Sequence, residues 1–598
     1  MGRLCSSAKL GLPEVKLGLV PGWGGCVRLP RLIDVEEAIK LITSGDSVSA
    51  AEAWKLGLVD EIVEERDLIE RAFAILNSEE QPKRAGKGKG MSARLKSTKV
   101  YGMGLKKMAT RLILARTRGN YPAPLAALKV ILESKYGDSK RAEIMETAAF
   151  IELAGSSVSA NLVDIYMKQS AAKKTPSLSL SGADAASTEI TCLGVIGAGA
   201  MGAGIALAAL MADYRVVLKE IDGKALEAGV GRIRAQLEKL VKIRKITRER
   251  ADQLFANLTP ALEYAELACC QLVIEAIFES MKVKKATRAA LDAVMPGPYI
   301  FATNTSSLSV GEMALEDEEE DIPEAMYPDR IVGIHFFNPV HKMPLVEIVQ
   351  ARETSVATMQ SARSFVVKLD KVPVECADGP GFIVNRILVP YMREAILMAE
   401  QGVPFVDVDM AMKVFGMPMG PFELMDTVGL DIAGHVLDSI YKALGERFAP
   451  PATLNGLREL NLLGQKGGAG FYLYDDNGRT GPNPQVNGLF AAEPVVKSAL
   501  EIQDRLVLIM INEAARLLAS GVAADADAID LAMIFGTGFP PFRGGLLKYA
   551  DAMGSIILEQ KLSCLHAMHP EGNYAPESII KMLAGSRLSF YSAMSGFD

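Results

Sequence analysis

The chain has 598 residues, 49% of them hydrophobic and 23% charged, a composition that supplies several buried cores and excludes wholesale disorder. Its 65 Lys and Arg against 72 Asp and Glu leave a net charge of −7, so no global cationic field exists to hold nucleic acid or an anionic membrane. At roughly 150 residues per domain, the length predicts about four domains.

The 7 cysteines are scattered, form no CxxC pair and read as reduced thiols of an intracellular compartment. The 5 histidines lack HExxH spacing, and no cysteine cluster offers soft ligands, so no metal is expected. No charged n-region, apolar core and cleavage site opens the chain. Met1-Gly2-Arg3-Leu4-Cys5-Ser6 fits a loose lipidation pattern, yet it runs unbroken into a segment that reads as the interior of a folded domain.

Residues 10 to about 77 read as globular, with a strand-like 17–20, a Gly/Pro turn and helical runs near 35–43 and 50–56. Residues 79–99, dense in Lys, Arg and Gly, read as a solvated connector. Helical patterns follow from about 105 to 168, and a Ser/Ala/Thr-rich stretch, 173–189, marks the next boundary. Residues 190–212 carry no charge and satisfy the roughly 20-residue rule for a membrane span. Five glycines, from Gly194 to Gly204, divide that run into a buried strand at 192–196, a turn and a helix, so no membrane span is expected.

Helical residues 223–263 lead to strands at 272–277, 299–302 and 331–335, and the alternation predicts a parallel α/β sheet. The acidic run 316–321 reads as a solvated insertion. After Gly379-Pro380-Gly381 the pattern is helical and repeats itself. Arg386-Ile387-Leu388, Glu394-Ala395, Phe415-Gly416 and Pro421-Phe422 recur as Arg505-Leu506-Val507, Glu513-Ala514, Phe535-Gly536 and Pro541-Phe542.

Gly197-x-Gly199-x-x-Gly202 follows a strand and opens a helix, the context in which backbone can approach a pyrophosphate at a helix N-terminus. Glu220 ends the next strand about 20 residues on, where a carboxylate accepts a ribose 2′-hydroxyl, which predicts NAD. Arg215 and Lys219 flank it and leave a 2′-phosphate, and so NADP, as the alternative. Downstream, His335 at a strand end and Glu347 could form a general base and its orienter, although spacing alone does not bring them together.

The order of Asn304-Thr305-Ser306-Ser307, Gly333-Ile334-His335-Phe336-Phe337-Asn338-Pro339, Leu345-Val346-Glu347 and Gly381-Phe382-Ile383-Val384-Asn385-Arg386 resembles the NAD-dependent (S)-3-hydroxyacyl-CoA dehydrogenases over residues 190–474. The resemblance implies that His335 takes the 3-hydroxyl proton, that Glu347 pairs with it, and that Ser306 and Asn385 orient the substrate. It implies also that Glu279 and Lys284 line the cofactor cleft. The second helical copy has Asp504 in place of Asn385 and no His/Glu pair, so one dehydrogenase site is expected.

Leu10-Gly11-Leu12-Pro13-Glu14 through Pro21-Gly22-Trp23-Gly24-Gly25, with Leu56-Gly57-Leu58-Val59-Asp60, resembles the later part of an enoyl-CoA hydratase (crotonase) domain. Glu14 matches one of its two acid/base carboxylates. The earlier part, with the other glutamate and the oxyanion donors, has no counterpart, which reads as a truncated gene model and predicts no hydratase activity.

The order of domains resembles the multifunctional β-oxidation proteins, especially the plant-like peroxisomal type. The expectation is an α/β Rossmann domain followed by two all-α dehydrogenase C-terminal-type domains, preceded by a partial crotonase-like α/β remnant. Its bounds are 1–77 for the remnant, 78–189 for connector and linker helices, 190–375 for the NAD-binding domain, and 376–480 and 481–598 for the helical copies. The resemblance further implies an acyl-CoA thioester substrate, a monomer in which the duplicated helical unit stands in for a dimer partner, and association with a thiolase. Ser586-Arg587-Leu588 looks like a peroxisomal tripeptide but is internal, which leaves mitochondrion and cytoplasm as alternatives to the peroxisome. A catalytically silent acyl-CoA-binding scaffold and another hydroxy-acid dehydrogenase with this fold are the competing readings.

Overall fold

The computed structural model describes residues 3–5, 8–77, 96, 98–174, 187–490 and 492–594. The chain divides into two compact units, Met1–Met167 with Pro541–Gly544, and Lys168–Pro540 with Gly545–Asp598. Most of the connector expected at 79–99, and residues 175–186 of the Ser/Ala/Thr-rich boundary, lie outside the described residues.

In the first unit, four short strands pair in two ladders. β1 (Arg3–Cys5) runs parallel to β4 (Glu61–Val63), and β2 (Lys9–Gly11) antiparallel to β3 (Ser47–Ser49). The strand expected at 17–20 is not formed. Pro13 starts a 3-10 turn, Pro13–Leu17, and Gly18, at φ +72°, ends it in the left-handed region that favours glycine. Helices Val35–Ser44 and Ala50–Lys55 start where Asp34 and Ser49 accept backbone N–H bonds from Glu36 and Glu52.

The helices expected to serve as connectors have another role. Lys99–Thr117, Pro122–Tyr136 and Ser139–Ala154 place Leu105, Ile113, Ala127, Ile131 and Leu153 in one core with Val15, Val27, Ile39 and Ile42. Burying these apolar stripes against the short remnant completes the unit, so residue 77 is not the edge of a core. Trp23 remains 98% exposed. Leu10, Leu12, Leu29, Leu32, Leu41 and Leu58 line a cavity of about 260 Å3.

The second unit is built on an eight-stranded sheet: β5 (Cys192–Ile196), β6 (Arg215–Lys219), β7 (Leu258–Ala261), β8 (Leu272–Glu275), β9 (Ile300–Thr303), β10 (Ile331–Phe336), β11 (Leu345–Gln350) and β12 (Val372–Ala377). The order is β7-β6-β5-β8-β9-β10-β11-β12, and only the β10/β11 junction is antiparallel. The strand order reverses between β5 and β8, the switch point at which such sheets open a cleft at their carboxyl ends. The apolar run at 190–212 divides as expected into β5 and the helix Ala200–Met211, and among the described residues no single helix is long and apolar enough to cross a membrane. β7 lies inside the segment read as helix. Pro260 is tolerated there because β7 is an edge strand.

The acidic run is not simply solvated. Lys282 pairs with Glu320 at 2.6 Å, and the Lys285 ammonium donates to the Glu316 carbonyl at 3.1 Å, drawing the insertion onto the helix Met281–Asp292. The cysteines, scattered in sequence, converge in space. Because β5 and β8 are neighbours, Cys192 Sγ lies 3.6 Å from Cys269 Sγ and 3.7 Å from Cys270 Sγ, which corrects the expectation that no cysteine cluster exists.

Beyond the sheet, the two helical copies share one core. The helix Val384–Glu400 packs along Ala499–Ala519, with Pro421–Val428 and Leu430–Leu444 against the first and Leu546–Met553 and Ser555–Met568 against the second, while the copies exchange a helix each: Phe405–Phe415 lies mainly on Ala499–Ala519, and Ala526–Thr537 on Val384–Glu400.

Candidate active site

The β10/β11 register sets His335 directly opposite Glu347, and the pair is closed by a 2.7 Å contact between His335 Nδ1 and Glu347 Oε2. His335 is 6% exposed and flanked by Phe337 and Phe382, with ring centroids 4.5 and 5.8 Å away. With Nδ1 held by the carboxylate, Nε2 is the ring nitrogen left to exchange a proton with a ligand. Glu347 is fully buried, and its second oxygen accepts the backbone N–H groups of Ile383 (3.2 Å) and Val384 (2.9 Å). Those amides begin the helix Val384–Glu400, which has no side-chain cap of its own, so its positive end stabilises the buried carboxylate.

Asn385 follows on that helix, and its amide nitrogen donates to the Ser306 carbonyl oxygen at 3.1 Å. Ser306 donates to Glu279 through its backbone N–H at 2.9 Å and its hydroxyl at 3.3 Å, and Thr305 adds a hydroxyl at 2.6 Å. Burial alone would raise the Glu279 carboxyl, but the Lys284 ammonium and the bonds from Thr305 and Ser306 outweigh it and hold it below the usual range. Lys284 itself is 0% exposed, with its ammonium 2.8 Å from Glu275 and 3.2 Å from Glu279. The sequence expectation made Lys284 a lining residue. The structure turns it onto two carboxylates, where it holds Glu279 in place.

Sequence reasoning passed over Glu275, Thr303, Thr305 and Asn304 as site residues. Glu275, at the end of β8, accepts from Lys284, the Thr303 hydroxyl (2.9 Å) and the Ile277 amide (2.7 Å). Asn304 Oδ1 accepts the Phe336 amide at 2.8 Å beside His335. A carboxylate closing an otherwise apolar strand was the signal available for Glu275.

The Gly-rich turn fits a dinucleotide. Gly197 sits at φ +97°, and a Cβ there would meet the Ala276 carbonyl oxygen at 2.6 Å. A Cβ on Gly202 would lie 1.7 Å from the Gly197 carbonyl oxygen, whereas at Gly199 it would meet nothing within 4 Å, leaving space at the N-terminus of Ala200–Met211 for a pyrophosphate. Glu220 directly follows β6 beneath this turn, accepting the Ala198 and Ile221 amides at 2.8 Å each. Neither basic neighbour stands beside it: the Lys219 ammonium lies 3.9 Å over the Tyr264 ring, and Arg215 is at the other end of the strand. The site is therefore one for NAD rather than for a 2′-phosphate.

Glu14 belongs to the first unit, and its Oε2 is buried without a hydrogen-bond partner. Nearby in the same unit, Glu146 accepts the backbone N–H groups of Gly24 (2.5 Å) and Cys26 (2.8 Å) at the start of the helix Gly25–Leu32.

A doubly wound sheet with this turn, joined to a helical domain that caps a His/Glu pair, defines a nicotinamide-dependent dehydrogenase. The family model for the 3-hydroxyacyl-CoA dehydrogenase NAD binding domain matches residues 192–379, that for its C-terminal domain matches 381–474 and 502–593, and that for enoyl-CoA hydratase/isomerase matches 4–88. The chain is 34% identical to a fatty acid oxidation complex subunit alpha from Shewanella amazonensis over 98% of its own length and 83% of the relative's. A protein of the same description from Pseudomonas syringae pv. tomato is 33% identical over 99% and 82%. Among solved structures, 3-hydroxybutyryl-CoA dehydrogenase from Escherichia coli K12 superposes with a TM-score of 0.59 at 28% identity, covering 69% of this chain and 100% of that one. The chain belongs to the family of fatty acid oxidation complex alpha subunits, multifunctional proteins with enoyl-CoA hydratase and 3-hydroxyacyl-CoA dehydrogenase domains, and it is an NAD-dependent 3-hydroxyacyl-CoA dehydrogenase.

Proposed function

We propose that the dehydrogenase oxidises (S)-3-hydroxyacyl-CoA thioesters in fatty-acid β-oxidation with His335 as the general base. The Gly197–Gly202 turn and Glu220 would hold NAD, which would supply the hydride acceptor for C3. His335 Nε2 removes the 3-hydroxyl proton, and the carboxylate of Glu347 stabilises the imidazolium so formed. Ser306 and Asn385 hold the substrate oxygen, Glu279 fixes the Ser306 backbone, and Lys284 fixes Glu279. The observation that carries this reading is the 2.7 Å His335–Glu347 contact, with the carboxylate anchored on a helix N-terminus.

The first experiment follows NADH consumption with acetoacetyl-CoA. His335→Ala is expected to lower kcat about 10²- to 10⁴-fold, the usual worth of a general acid or base. Equal turnover of free 3-hydroxy acids would turn the assignment toward a hydroxy-acid dehydrogenase. A folded, NAD-binding chain without turnover would turn it toward a scaffold. Glu14 is the one hydratase carboxylate assigned in this chain, so crotonyl-CoA hydration is expected to be absent from the same preparation.

The finer assignments belong to the same reading. The chain works as a monomer, because two reciprocal ion pairs, Arg386 with Glu513 and Arg505 with Glu394, already join its helical copies as an isologous interface would. Sedimentation at micromolar concentration tests this. Association with a thiolase is supported by the family resemblance and is tested by co-purification with a named 3-ketoacyl-CoA thiolase. The peroxisome is the proposed compartment on the plant-like resemblance, with imaging of a fluorescent fusion as its test. Ser586-Arg587-Leu588 is internal and includes the end of the helix Ser578–Ser586, so it does not serve as a terminal tag.

A further inference from the structure

A group of three thiols stands away from the dehydrogenase chemistry. Cys192 opens β5, and Cys269 and Cys270 precede β8, whereas the Gly197 turn follows the far end of the five-residue β5, about 16 Å along at roughly 3.3 Å per residue. All three sulfurs lie within 4.8 Å of one another, two of the separations being 3.6 and 3.7 Å. Thiolates bound to a tetrahedral zinc at about 2.3 Å lie about 3.8 Å apart, so little movement is needed to seat the ion.

We propose that Cys192, Cys269 and Cys270 bind one thiophilic cation, Zn2+, through three thiolates, with water in the fourth position. The donor set is wholly soft, which favours zinc and its heavier relatives over Mg2+ or Ca2+. Cys192 and Cys270 are buried and Cys269 is exposed, so the ion has a route of entry and an open side for the water. The backbone is already held. The Gln271 side-chain oxygen accepts the amides of Thr191 (3.0 Å) and Cys192 (2.9 Å), and the Gln271 amide donates to the Cys192 carbonyl at 3.2 Å.

Zinc is bound by thiolates, so thiol protons leave as the metal enters and binding weakens as pH falls. Three thiolates and Zn2+ carry one net negative charge, and Arg215, at the start of β6, is the register partner of Cys192. At this distance from the nucleotide turn the metal acts on stability, tying β5 to the entry of β8.

The test uses the full chain, reduced and stripped of metal, titrated with Cd2+ while sulfur-to-metal charge-transfer absorption is recorded, with Zn2+ then added as competitor. One equivalent is expected to saturate the band, and Cys269→Ser and Cys192→Ser should each weaken binding at least about tenfold, having lost one of three ligands. Cys564→Ser should bind as wild type. Zn2+ should raise the melting temperature of wild type and leave that of Cys269→Ser unchanged, with NADH turnover of that exposed-site variant reporting that it is folded. No charge-transfer band from an active wild-type chain would overturn the proposal, as would Cd2+ affinity equal to wild type in both Cys269→Ser and Cys192→Ser.

Discussion

The two helical copies are built on the same internal bonds and differ at the end that meets the sheet. In the first, Asp409 accepts the amides of Phe422 and Glu423 and the Tyr472 hydroxyl, and in the second, Asp530 accepts those of Leu547 and Lys548 and the Tyr591 hydroxyl. Asp426 accepts the amides of Phe471 and Tyr472, and Asp551 those of Phe590 and Tyr591. The long helices diverge. Ala499–Ala519 carries its own capping box from Ser498 and Glu501, while Val384–Glu400 leaves its first amides to Glu347 from the sheet. Asn385 is thus at a helix start beside Ser306, whereas Asp504 is well inside its helix and pairs with Lys561 at 2.6 Å. A duplicated scaffold becomes catalytic in the copy whose helix end is left open for another element to fill.

The sharpest way to break that contrast is to make the same truncation in both copies. Asn385→Ala removes the amide that holds the Ser306 carbonyl and is expected to lower kcat with acetoacetyl-CoA about 10- to 100-fold, a loss of about 1.4 to 2.7 kcal/mol in transition-state stabilisation. Asp504→Ala should leave kcat within about twofold, since it severs only a partly exposed pair with Lys561. Equal losses would mean that the second copy also serves the site. Calorimetry should count one NAD per chain in both variants.

The next effect concerns what joins the copies. Arg386 with Glu513, and Arg505 with Glu394, are nearly sealed from solvent. Removing one partner leaves a buried charge unpaired, so Glu513→Gln and Glu394→Gln should each cost about 3 to 5 kcal/mol in urea unfolding. Replacing both Arg505 and Glu394 with apolar residues should recover most of it, whereas replacing Arg386 and Glu513 should recover less, because Glu513 also pairs with Arg447 at 3.3 Å and Arg516 at 2.8 Å. A single variant that unfolds like wild type would sink the view of the copies as an internal, self-complementary interface.

Much of this was legible in the sequence because motif and position coincide: the Gly197 turn, Glu220, and the His335 and Glu347 that the resemblance named. The physics connecting them was not. The His335–Glu347 contact depends on the antiparallel β10/β11 register, and the amides that hold Glu347 lie 36 and 37 residues away. Lys284 read as a lining residue because sequence does not show which way a lysine turns on a helix. The three thiols read as scattered because adjacency of β5 and β8 is a property of strand order, with Cys192 and Cys269 separated by 77 residues. The helices at 99–154 read as connectors because the remnant they pack against precedes them across a polar stretch.

The smallest expected effect tests whether the copies remain equivalent where they look alike. Burial pushes the Asp409 carboxyl up to about 7 and does the same at Asp530, while the amide and tyrosine hydrogen bonds pull against it in both. An aspartate in the unfolded chain titrates near 4, so between about pH 4 and 7 the native state holds a proton at each position that the unfolded state has released. Stability from these two groups therefore falls as pH rises through that window and levels off above it. Asp409→Asn and Asp530→Asn no longer titrate, so each should flatten the decline in melting temperature between pH 5 and 8, and the double variant should flatten it further. Each should also lower the temperature at pH 5, because an amide nitrogen cannot accept the backbone N–H that the carboxyl oxygen does. Matching slopes in the single variants would show that the shared scaffold survived the divergence of its helix ends, and a change confined to one would place the asymmetry deeper than residues 385 and 504.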